Sequence, residues 1–107
     1  MRVTFWSAAG SAALIIEHAD KKICHVTRHA GGDAAADAAL CAVASGADLL
    51  VFPGPWEQGL ALKARANAKL LALADGGTEG ADAALAEAAA RRSANVFFAR
   101  HKMTLDL

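Results

Sequence analysis

A chain of 107 residues, 55% apolar and 21% charged, has the size and composition of one folded domain rather than a disordered or multidomain protein. Eleven Lys and Arg balance 11 Asp and Glu, so the chain lacks the basic excess with which nucleic-acid binders release phosphate counterions. No apolar run reaches transmembrane length and the run after Met1 is too short for a signal peptide, so a cytoplasmic protein with no membrane or nucleic-acid partner is expected.

The chain opens with β-branched and aromatic residues at 2–7 (RVTFWS), which predict a strand. Ala8, Ala9, Gly10 and Ser11 make a turn. A second strand follows at 12–17 (AALIIE) and a third at 22–27 (KICHVT), joined by a hairpin turn through His18, Ala19, Asp20 and Lys21. These three strands form an antiparallel meander.

The rhythm then changes to alternating helices and strands. Asp33 is an N-cap candidate after Gly31 and Gly32, and 34–45 read as a helix closed by Gly46. Ala36, Leu40, Val43 and Ala47 fall on the stripe that packs against a sheet. A short strand at 49–52 leads to a second helix at 56–68, with Lys63 and Arg65 on its outside. Residues 69–74 read as a strand. Thr78 or Asp82 caps a third helix reaching Arg92, in which Glu87 and Arg91 form a surface pair. Residues 95–100 (NVFFAR) are a further strand, and 103–107 suit a last short one.

The order β-β-β-α-β-α-β-α-β predicts a single α/β domain over 1–107, with a mixed sheet, three helices and right-handed parallel crossovers. Most strands are apolar on both faces rather than alternating, so both faces of the sheet are expected to be covered, by helices or by a partner. Cys24 in a strand and Cys41 in a helix read as buried free thiols. Cys24 and His25 point to opposite faces of their strand and cannot share one ion without a bulge, whereas His25 and His29 could share a face by alternation but are too few to hold a metal.

Several segments together resemble the C-terminal half of metallo-β-lactamase-fold hydrolases: GSAALIIEHADKKICHVTRH, ADLLVF, WEQGLALKARANAKLLALAD and FFARHKMTLDL. The resemblance covers the chain from about Gly10 to Leu107 and implies one half of an αββα sandwich, in which two sheets pack face to face with helices outside. It does not bring the metal chemistry with it. The family's main histidine cluster belongs to the missing half. Arg28 stands where a bridging aspartate is expected, Pro53-Gly54-Pro55 lacks a histidine, and Asp75-Gly76 replaces the last ligand. A hydrolytic zinc needs three protein ligands and an open position, so neither a metal nor a cofactor is expected. SGADLLVFPG also resembles a strand of the nitrilase family, but Gly54 stands in place of the catalytic glutamate.

Ligands of parallel α/β sheets gather outside the carboxyl ends of the strands. Three loops converge there, and they supply the candidate ligand-binding residues Arg28, His29, Gly31, Gly32, Trp56, Asp75 and Thr78. Each loop leads into a helix N-terminus, which favours an anion, and Arg28 has the fork to hold a phosphate or carboxylate. The plainer reading is that the glycines serve tight turns and the polar residues cap helices.

Two functions of different class follow. One is a catalytically silent interaction or scaffold module, a homodimer that packs sheet to sheet to rebuild the sandwich. The other is a small-molecule or anion-binding domain, or an enzyme with a newly built site, at the Gly-rich edge. No catalytic residue is assigned in either.

Overall fold

The computed structural model describes residues 1–53, 55–73, 95–98 and 107. Six strands and two helices follow the order β1 (Arg2–Ala8), β2 (Ser11–His18), β3 (Lys21–Arg28), α1 (Ala34–Ala44), β4 (Leu49–Phe52), α2 (Trp56–Ala66), β5 (Leu70–Leu73) and β6 (Val96–Phe98). The strands make one mixed sheet whose spatial order is the chain order. β1, β2 and β3 pair antiparallel, and β3 to β6 pair parallel. The α/β class and the opening meander are as the sequence predicts. The third helix expected up to Arg92 and the strand expected at 103–107 fall outside the described residues.

The two hairpin turns each take two residues with positive φ: Ala9 (48°) with Gly10 (85°), and Ala19 (51°) with Asp20 (67°). This handedness matches the twist of the flanking strands, which is why the shortest hairpins use it. Helix α1 starts where Asp33 caps it, accepting a hydrogen bond from the Ala36 amide at 2.8 Å. It ends one residue earlier than expected, with Ser45 as its C-cap. Helix α2 ends two residues early because Asn67 turns left-handed (φ 56°) and sends its amide back to the Ala64 carbonyl.

Strand pairing sorts the sheet into two faces. Ile15, Cys24, Leu50 and Leu71 are opposite one another along one row, all buried. Ala13, Val26, Phe52 and Leu73 extend the same face. Both described helices pack there, α1 through Leu40 and Ala44 and α2 through Leu62 and Ala66. Small residues let the helices sit close. At Gly59 an added Cβ would come within 2.8 Å of Leu73 Cδ2 and 3.2 Å of Phe52 Cδ2. The other face carries the row Phe5, Leu14, His25, Val51 and Ala72, with Val3, Ile16, Ile23, Leu49 and Leu70 beside it. On this second face Leu49 of β4 and Ala72 of β5 are buried, but toward β1 the face is open, and Phe5 is 84% exposed.

Cys24 and Cys41 are both free. Cys24 is wholly buried, and burial pushes its thiol up to about 11, only partly opposed by the Lys22 charge. A thiol so protonated is a packing group rather than a nucleophile. Among the described residues no helix is long and apolar enough to cross a membrane.

The amino edge of the parallel strands is tied by Asp48. Its carboxylate accepts from the Lys69 ammonium at 2.9 Å and from the Lys22 amide at 2.8 Å, joining β3 to the start of β5. The Lys69 and Lys22 hydrogen bonds hold this carboxyl below the usual carboxylate range. A carboxyl with a lowered folded-state pKa stabilises the fold above its unfolded value, and loses that contribution as pH falls through the folded one. Asp48→Asn is therefore expected to lower the thermal midpoint at neutral pH, with a gap to the parent that narrows in acid. Thermal unfolding followed by circular dichroism across a pH series checks this. A gap of constant size would assign the effect to hydrogen bonding alone.

Candidate functional site

A β-bulge places the first residue of the site. Ala12 lies opposite Arg28 and Ala13 opposite Val26, so Thr27 is an extra residue in β3. The Thr27 hydroxyl donates to the Ala12 carbonyl at 3.2 Å. Such an insertion re-aims the side chains beyond it. Simple alternation would put His29 on the face of His25. Instead His25 is exposed on the second face, whereas His29 lies over Phe52 on the helix side, ring centroids 5.1 Å apart. The face that alternation would allow the two histidines to share is therefore not shared.

The residues flanking His29 are fixed by the first hairpin turn. Arg28 Nε donates to the Gly10 carbonyl at 2.8 Å, and the Ala30 amide donates to Ser11 Oγ at 3.0 Å. Ser11 is itself buried. Gly10 admits this approach because a Cβ there would meet Ala30 Cβ at 3.0 Å.

His29 is held on both ring nitrogens. Nε2 pairs with Asp37 Oδ1 of α1 at 3.2 Å, and Nδ1 meets the Gln58 carboxamide of α2 at 3.0 Å. The side chain is only 10% exposed. An amide has a donor end and an acceptor end, so Gln58 serves whichever role the ring's tautomer leaves to Nδ1. One imidazole thus stitches the two helices together at the carboxyl edge of the sheet.

Beside it lies a cleft of about 210 Å³ between α1 and α2, lined by His29, Gly31, Gly32, Asp37, Leu40, Gln58, Ala61, Leu62 and Arg65. Gly31 and Gly32 both take φ of 75°, a backbone that ordinary side chains avoid. Among the described lining residues there is no hydroxyl, thiol or amine nucleophile.

Of the seven residues predicted, the structure brings His29, Gly31 and Gly32 together in this cleft. Arg28 lies outside its lining and straps the β1–β2 turn. Trp56 is also outside, half-buried against the core. Asp75 and Thr78 fall outside the described residues. Sequence reasoning missed Asp37, Gln58 and Arg65. For Gln58 and Arg65 the signal was helical spacing, since Gln58, Ala61, Leu62 and Arg65 recur at i, i+3, i+4 and i+7, one stripe of α2; Asp37 on α1 carried none. Among the described residues no three His, Cys, Asp or Glu side chains converge as a metal site.

Compared with protein-family models, curated proteins and solved structures, the chain matches none.

Proposed function

We propose that the chain is a non-catalytic interaction module that works as a homodimer, with the second sheet faces of two copies packed together. The observation that carries this reading is the apolar ground on that face toward β1. Phe5 and Val3 are exposed there, and Leu14, Ile16 and Ile23 are only partly covered. Contiguous apolar surface of several hundred Å² seldom stays open on a soluble monomer. His18 and Lys21 at one end and Ser7 at the other supply a polar rim, the usual surround of an interface centre.

The sequence resemblance supports the same reading. In the metallo-β-lactamase-type sandwich each half covers its sheet with the other half, at a spacing of roughly 10 Å between sheets. A second copy of this chain would supply that cover, and apolar burial at about 25 cal/mol per Å² offsets the freedom lost on association. The missing metal motifs fit a half-domain kept for binding rather than hydrolysis. A second reading, small-ligand binding, has its own support in the cleft beside His29.

Light scattering on the purified chain at micromolar concentration, with chelator present, tests the proposal. The expected mass is twice the 11.0 kDa of one chain. Phe5→Asp is expected to return single chains with unchanged circular dichroism, since Phe5 supports nothing in the monomer's core. His25→Leu is expected to tighten the dimer, because an imidazole buried without a partner costs free energy. A monomeric parent would overturn the reading, and so would a dimer indifferent to Phe5→Asp.

A further inference from the structure

We infer that the cleft between α1 and α2 binds a small zwitterion of the amino-acid type, with its carboxylate at Arg65 and its ammonium at Asp37. This inference stands apart from the proposed dimer. The cleft lies on the helix-covered side of the sheet, away from the second face.

The charges argue for the ligand class. Among its described lining residues the cleft has one carboxylate, Asp37, and one guanidinium, Arg65, and the other polar side chains are the imidazole of His29 and the carboxamide of Gln58. Among the described residues no carboxylate pairs with Arg65: Asp37 meets the His29 imidazole and Asp48 the Lys69 ammonium. Asp37 gives one oxygen to His29 and keeps a second for another donor. A ligand with a single charge would answer only one of these two groups. A ligand with both charges answers each end, and a carboxylate on a guanidinium can make two parallel hydrogen bonds.

The shape limits its size. Arg65 is two helical turns beyond Gln58, a rise of about 10 Å along α2. Leu40, Ala61 and Leu62 make an apolar wall suited to a few methylene or methyl groups. The space of about 210 Å³ suits a molecule of amino-acid size. A Cβ at Gly31 would stand 3.9 Å from His29 Cε1, in ordinary contact with the imidazole. His29, nine-tenths buried and bonded on both nitrogens, fixes Asp37 and Gln58 before any ligand arrives. Preorganisation of this kind lowers the cost of binding.

Calorimetric titration and thermal shift test this with leucine, 4-aminobutyrate, butyrate and butylamine as probes, on the full chain. At least one zwitterion is expected to bind and raise the thermal midpoint. Butyrate and butylamine, each lacking one charge, are expected to bind about tenfold or more weakly. Arg65→Gln, an exposed position outside the core, is expected to abolish the carboxylate-dependent part of binding while the unliganded midpoint stays put. Asp37→Asn is expected to abolish the ammonium-dependent part. Binding of neither zwitterion, or equal binding by the Arg65→Gln chain, would overturn the inference. Butyrate binding as tightly as 4-aminobutyrate would overturn the assignment of Asp37.

Discussion

Phe52→Ala is expected to remove about 3–5 kcal/mol of stability, the usual cost of truncating a fully buried aromatic ring. Phe52 is 0% exposed and among the largest side chains of the core. It closes the carboxyl end of β4, lies beneath the His29 ring, and meets α2 at Gly59. Domains of this size hold only about 5–15 kcal/mol in all, so the variant is expected to sit close to unfolding at physiological temperature. Urea unfolding measures the loss as a lower midpoint with an unchanged slope. Phe52→Leu keeps most of the apolar volume and is expected to cost about 1.5 kcal/mol. A loss below about 1 kcal/mol for the alanine variant would mean that the ring does not fill the space between β4 and α2. The Phe52→Ala chain is also expected to lose the His29 bridge, because the imidazole no longer has a surface to rest on.

Gly59→Ala is the second large effect, and its direction runs against helix propensity. In an open helix, alanine for glycine gains about 1 kcal/mol. Here the new methyl would stand 2.8 Å from Leu73 Cδ2 and 3.2 Å from Phe52 Cδ2. Leu73 is 1% exposed and Phe52 0%, so neither side chain has space to swing aside. Overpacking of this kind costs about 1–3 kcal/mol, which leaves a net loss of up to about 2 kcal/mol. Larger residues at 59 are expected to prevent folding. A double-mutant cycle separates the cause. Leu73→Ala empties the space that the new methyl needs, so the paired variant is expected to be less damaged than the sum of the single variants. Gly59→Ala that stabilises the chain would mean that α2 stands off the sheet by more than a methyl group.

Much of the fold was readable because local chemistry and tertiary position agree. The β-branched and aromatic residues of β1 to β3 sit where a sheet uses them, and Asp33 caps α1 as its side chain predicts. The end of α2 was misjudged although Asn67 carries a signal: after glycine, asparagine is the residue that most readily turns left-handed at a helix end. The bulge was not readable. Thr27 is a good strand residue, and nothing in VTRH tells one extra residue from regular alternation. That one position decides whether His29 belongs to the open face or to the cleft. The glycines at 31 and 32 pointed to the right edge of the sheet. Arg28 drew attention because a guanidinium at a loop is a ready anion ligand, but the Gly10 carbonyl, 18 residues earlier in the chain, already engages it. Such long-range partners follow from the fold and not from neighbouring residues. Asp37 and Gln58 were missed for the same reason, since only folding brings α1 and α2 to one imidazole.

Among the described strands the sheet is laid down in the order in which the chain is made, none being inserted between two earlier ones. As the chain leaves the ribosome, each new strand therefore meets an edge that its predecessor has completed. The meander, closed by two tight turns, needs only short-range loop closure before the first helix exists. Later strands add one at a time, so little apolar surface waits for a distant partner during synthesis. An interrupted chain is left with a narrower sheet rather than a gap within it, and that limits the exposed edges through which nascent α/β chains aggregate.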